Sequence, residues 1–211
     1  MSDTITKTVK YLETHNGRDK LCRTLQYSSR FFTWYLAKHN EIDASKRFAN
    51  LENGASMARK IFRLAKSISH FQNAFNTLNN ETDTVVKSTM VVQQFSLGLW
   101  LLYDHVIWAG KLNLIKTDKM PIYTRRANIF WLIAMLMGII KTLYALQRVK
   151  RGDNDKKREL SLELVRNIMD VPIPLTGLNQ RVAAAIPTGI VGLFGTITSL
   201  IGIYQAWSKI K

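Results

Sequence analysis

The chain has 211 residues, 46% of them apolar, a formal charge of +15 and one cysteine, Cys22, which excludes an intrachain disulfide and a cysteine metal cluster. Its apolar residues are segregated: the first 87 positions are strongly charged, while 182–208 carries no charge at all. That pattern implies two solvents, water and lipid, and the basic excess then fits anionic lipid better than nucleic acid, for which no module is recognisable.

In chain order, nearly every segment reads as helix. Residues 4–15 place Ile5, Val9 and Leu12 on one stripe, and Asn16-Gly17 is a helix stop. A second helix is expected from Arg18 to His39, with apolar positions recurring at three and four. The start shows no apolar signal-peptide core, and Ser208-Lys-Ile-Lys211 is not a matrix address, so internal segments are expected to direct membrane insertion.

Residues 44–78 hold Met57, Ile61, Leu64, Ile68, Phe71, Phe75 and Leu78 at spacings of four and three, the seam of one continuous helix. Arg59, Lys60, Arg63 and Lys66 lie around the other side, and no acidic residue occurs between Asn53 and Asn80. A solvated face usually mixes Glu with Lys, whereas an all-cationic face suits an interfacial membrane helix. Burying five such side chains at ~1.5–3 kcal/mol each favours insertion strongly. A packed helix with its seam against a neighbour is the competing reading.

Asn79-Asn80-Glu81-Thr82-Asp83 is a polar break with capping chemistry. The segment 88–109 is nearly uncharged, and Trp100, Tyr103 and Trp108 collect toward one end as an aromatic belt does. Residues 127–147 form a second candidate span, interrupted by Lys141, which can snorkel from near a helix end. A charged stretch from Arg148 to Arg166 precedes Pro172 and Pro174, which end the helix running through Leu160 to Met169. The 27 residues of 182–208 exceed the ~30 Å hydrocarbon core and read as a transmembrane helix. Its small residues Gly192, Gly195, Ser199 and Gly202 suit close helix packing and self-association into a homo-oligomer.

Chemistry is sparse. The four histidines are isolated, no phosphate loop or nucleophile motif is present, and no enzyme activity, cofactor or metal is expected. Asp104-His105, with Gln93 and Lys141, is the one set of polar groups suited to lining a pathway.

The run Gly17-Arg18-Asp19-Lys20, then Arg23, Gln26-Tyr27 and Arg30-Phe31, resembles the hallmark of the peroxisomal membrane protein 11 (peroxin-11) family. The resemblance extends over the whole chain. It implies peroxisome elongation and proliferation through a cationic amphipathic helix inserted in the cytosolic leaflet, with membrane curvature and fission as outcome. It also implies self-association, both termini in the cytosol and partnership with fission machinery including a dynamin-type GTPase. Met57, Arg59, Lys60, Ile61, Arg63, Leu64, Lys66, Ile68 and Phe71 match that helix by position and character. The dilysine signal of some relatives is not matched, because the lysines here are the last and third-last residues. Read from the residues alone, the hallmark is equally a salt-bridged helix hairpin.

The expectation is therefore an all-α, single-domain membrane protein of the peroxisome. Residues 1–87 supply amphipathic helices on the cytosolic side, 88–147 membrane-associated helices, 148–181 a charged loop or helix, and 182–208 the transmembrane helix. Anionic membrane lipids are its expected partners and nucleic acid is not. A pore or carrier for small metabolites is the alternative function.

Overall fold

The computed structural model describes residues 2–210; Met1 and Lys211, weighed above as parts of targeting signals, lie outside the described residues. Among the described residues all regular elements are helices: α1 (Ser2–Glu13), α2 (His15–Lys38), α3 (Ile42–Phe62), α4 (Lys66–Asn80), α5 (Thr84–Lys111), α6 (Met120–Gln147), α7 (Asn154–Asp170), α8 (Pro172–Leu178), α9 (Gln180–Ala185) and α10 (Thr188–Trp207). They form two compact units that do not follow sequence order. One joins the residues up to Arg63 with those from Arg181 onward, and the other spans 64–180. Segregated composition identifies the solvent of a segment and not its neighbour, so the pairing of the two chain ends was not foreseen.

The first unit is built on α2. Its start is set by Thr14, whose hydroxyl accepts from Gly17 N (2.9 Å) and donates to Tyr11 O (2.7 Å). Gly17, expected to stop the first helix, instead lies buried in the first turn of α2. A side chain there would strike the Tyr11 carbonyl, so its role is close approach of α1. The α3 helix returns antiparallel along α2, with Phe32 and Phe48 5.1 Å apart between ring centres and Ser45 Oγ donating to Thr33 O at 2.9 Å.

Along another side of α2 runs α10, also antiparallel: Gly189 meets Trp34, Gly192 and Gly195 meet Tyr27, and Gly202 meets Lys20. A methyl group built on Gly192 falls 2.6 Å from Phe31 N and 2.9 Å from Tyr27 O, so only glycine permits this backbone contact. The small-residue row of α10, expected to serve self-association, packs on α2 within the same chain. The 27-residue uncharged run is not one helix either. Pro187, with no N–H and φ fixed at −55°, separates α9 from α10. The remaining 20 residues still rise ~30 Å, one hydrocarbon thickness. Lys7 lies 4.4 Å over the Trp207 ring, so α1 and the end of α10 share one end of this unit.

The second unit is an α5–α6 hairpin with α4 packed on α5 and α7 and α8 packed on α6. Asp83 caps α5, accepting from Val85 N (2.9 Å) and Val86 N (3.0 Å). Its other oxygen accepts from Tyr144 Oη (2.9 Å) and Arg148 (2.5 Å), tying the start of α5 to the end of α6. Trp100 stacks on Trp131 at 5.1 Å and Tyr103 on Phe130 at 5.9 Å, so these rings cement the hairpin where a belt at the membrane surface was expected. The Lys141 Nζ pairs with Glu163 of α7 at 2.9 Å. Three helices, α5, α6 and α10, have the length and composition to cross a membrane.

Two substitutions test the glycine contact. Gly192→Leu is expected to destabilise the protein by at least ~1–3 kcal/mol through overpacking against α2. Gly54→Ala, in a helix with nothing within 4 Å of the added methyl, is expected to stabilise it by ~0.5–1 kcal/mol. Thermal melting in detergent reads both.

Candidate functional site

The expected single amphipathic helix is two helices. Residues 63–65 form a turn between α3 and α4, and Ala65 adopts φ +60°. The left-handed conformation costs a non-glycine residue ~1–2 kcal/mol, so the break is imposed by the packing on either side. The seam residues fall on both sides of it. Met57 and Phe71 are half-buried, whereas Ile61, Leu64, Ile68, Phe75 and Leu78 are exposed.

The cations are arranged opposite to expectation. Arg59, Lys60 and Arg63 are buried, and of the four only Lys66 is exposed. The reason is Asp19. Arg59 Nε donates to Asp19 Oδ1 at 3.1 Å, Arg63 Nε lies 3.9 Å from the same oxygen, and Arg59 Nη1 donates to Gln26 Oε1 at 2.6 Å. Desolvation and the neighbouring Arg63 push the Arg59 guanidinium down to about 10, against the pull of Asp19, so it stays charged at neutral pH. In this fold Arg59 and Arg63 lock α3 to α2.

The hallmark residues are gathered by that contact, each with a physical task. Gly17 admits the Tyr11 carbonyl, and Arg18 Nε donates to Leu12 O at 2.9 Å across the α1–α2 joint. The Lys20 side chain covers Gly202 of α10. Tyr27, packed on Gly195, has Arg23 and Arg30 guanidinium carbons 5.3 and 5.1 Å from its ring centre. Arg30 also pairs with Glu52 of α3, N to O 2.6 Å. Phe31 supplies backbone against Gly192. On α10, Gly192, Gly195, Ser199 and Gly202 are all buried, and Ser199 Oγ donates to Gly195 O at 2.5 Å.

Polar inside and apolar outside holds in the second unit as well. Gln93, Ser96, Asp104, Thr142, Asn167 and Asp170 are buried, while Val92, Leu102, Ile129, Leu136, Ile140 and Leu143 are exposed. The Gln93 and Asn167 amides converge over Gly138, within 2.9 Å of where its side chain would begin. His105 is half-buried. On the first unit, Leu21, Leu25, Phe32 and Tyr35 are exposed in the same way. The missed signal was that the hallmark and the cationic run carry complementary groups, Asp19 and Gln26 for Arg59.

Buried ion pairs respond asymmetrically to mutation, which gives a test. Asp19→Leu alone is expected to cost ~3–5 kcal/mol, because it strands buried guanidinium groups, and adding Arg59→Met should recover part of that loss in melting experiments. A second test concerns α4. Its His70 Nδ1 lies 2.7 Å from Gln94 Oε1 of α5, and burial, with Lys66 adding to it, holds the imidazole below its ordinary 6.5. A depressed histidine gives stability that is complete above 6.5 and is lost as the pH falls through that value. The pH-dependence of melting below 6.5 should therefore be steeper in the native protein than in His70→Phe.

The comparisons with known proteins cover the chain almost end to end. The Peroxisomal biogenesis factor 11 (PEX11) family matches residues 5–161 and 150–207. The chain is 28% identical to Peroxisomal membrane protein PMP30B of Candida boidinii, over 98% of its own length and 95% of that protein. It is 26% identical to Peroxisomal membrane protein 11D of Arabidopsis thaliana, over 93% and 89% of the two chains. With the human Peroxisomal membrane protein 11C the identity is 24%, over 92% and 91%. No solved structure matches. An all-helical chain with three helices fit to cross a bilayer, matched over nearly its whole length, belongs to the Peroxisomal biogenesis factor 11 family of peroxisomal membrane proteins.

Proposed function

We propose that the protein resides in the peroxisomal membrane and reshapes it, promoting the curvature and elongation that precede fission. The observation that carries this reading is α4. Its inner side, Phe71 and Ala74, packs toward α5, with Phe71 and Phe75 each 5.7 Å from the Phe95 ring. Its outer edge presents Ile68 and Phe75, 66% and 55% exposed, together with Leu78. An amphipathic helix fixed beside a candidate span and offering an apolar edge meets the requirements of a wedge in one leaflet. The wedge proposed here is α4, shorter than the 44–78 segment, and the headgroup cation on it is Lys66. Arg59, Lys60 and Arg63 are buried in the first unit and are not part of this wedge.

The test uses full-length protein reconstituted into phosphatidylcholine vesicles containing phosphatidylserine. Native protein is expected to draw tubules, and Ile68→Glu with Leu78→Glu to abolish them while leaving the melting temperature within a few degrees. Tubulation retained in that double variant overturns the wedge.

A second reading, conduction of small polar metabolites, is favoured by one observation: the polar interior of the second unit. Buried Gln93 and Asn167 converge at Gly138, and Asn167 Nδ2 has no hydrogen-bond partner among the described residues. Solute flux through the same vesicles, lowered by Asn167→Leu, distinguishes it from shaping alone.

A further inference from the structure

We propose that α2, a helix whose sequence is too charged to register as a membrane span, crosses the bilayer beside α10 with lipid acyl chains covering its outer face. The inference goes beyond the wedge and does not rest on it.

Three observations carry it. First, α2 is married to α10 over nearly the whole length of that helix. The contacts run from Lys20 with Gly202 to Trp34 with Gly189, ~20 Å of rise at ~1.5 Å per residue. If α10 crosses, α2 lies at the same depths.

Second, the exposed face of α2 is apolar apart from Ser28, whose hydroxyl turns back to its own helix, and Phe32 at the edge of that face also meets Phe48 of α3. Leu21, Leu25, Phe32 and Tyr35 are each 42–46% exposed and fall on one helical stripe. Every ionic side chain between Leu21 and Ala37 is directed inward: Arg23 is buried, and Arg30 is bound to Glu52 and Tyr27. Charges reach the outside only at the two ends, at Arg18 and at Lys38. A charge-free band bounded by charges at both ends is the profile of a spanning helix; an interfacial helix carries its charges along its whole length on one face.

Third, three hydroxyl groups of α2 are satisfied by its own backbone. Thr24 donates to Lys20 O at 3.0 Å, Ser28 to Leu25 O at 3.2 Å and Thr33 to Ser29 O at 2.8 Å. Lipid offers no partner to a free hydroxyl, so this internal pairing is what hydrocarbon demands. The Asp19–Arg59–Gln26 cluster and the Arg30–Glu52 pair, both facing into the unit, then hold charges inside the membrane thickness in the paired form that hydrocarbon tolerates.

The experiment is a depth measurement on the full chain. In a Cys22→Ser background, nitroxide labels are placed singly at Leu21, Leu25, Phe32 and Tyr35, with labels at Ile190, Ile197 and Tyr204 of α10 as an internal ruler. The protein is reconstituted in phosphatidylcholine–phosphatidylserine vesicles, and power saturation compares collision with oxygen and with a water-soluble nickel chelate. A crossing helix gives depths that rise to a maximum at Leu25 and Phe32 and fall toward Leu21 and Tyr35, running opposite in direction to α10. Equal, shallow depths at all four α2 positions, the signature of a helix lying flat in the headgroups, overturn the proposal. So do labels that collide with nickel as freely as one at Lys38. The label sites are each 42–46% exposed, and because Phe32 also leans on Phe48 of α3, the α10 ruler checks in every sample that the native fold is retained.

Discussion

The fold rests on a polar interior. In water, a helical protein is held mainly by burying oily surface. Here much of that surface faces outward, so ring contacts between helices are supplemented by ion pairs, hydrogen bonds and close backbone approach, and these supply the specificity. Asp19 is the centre of this arrangement: it accepts from Arg59 and attracts Arg63. It draws the helix that looked most suited to a membrane surface into the body of the unit.

Two kinds of contact divide the work. Charge holds α3 to α2, and the absence of side chains holds α10 to α2. Tyr27 connects them, pressed on Gly195 with Arg23 and Arg30 over its ring. The second unit uses the same means, with Gly138 admitting two amides and Asp83 joining the ends of α5 and α6. What these helices leave exposed is available to lipid, and α4 leaves the most prominent edge.

Much of this was legible in the sequence. The helical class, the polar break before α5 and the Asp83 cap follow from periodicity and capping chemistry. The family followed from one run of residue types. Other features had no local signal. The turn after α3 contains neither glycine nor proline, since Arg63, Leu64 and Ala65 are ordinary helix residues and packing alone breaks them. Periodicity located the cations on one face but could not say whether that face met headgroups or a carboxylate forty residues earlier. Pro187 was readable, yet the absence of charge around it suggested an uninterrupted span. The match of α2 with α10 joins residues at opposite ends of the chain, beyond the reach of any window.

That last pairing has a consequence for the order of folding. The α2 and α3 helices are neighbours in sequence and can pair early, whereas the α2–α10 contact closes a loop that takes in the whole of the second unit, so the glycine seam is the slow, entropically costly step in assembling this unit.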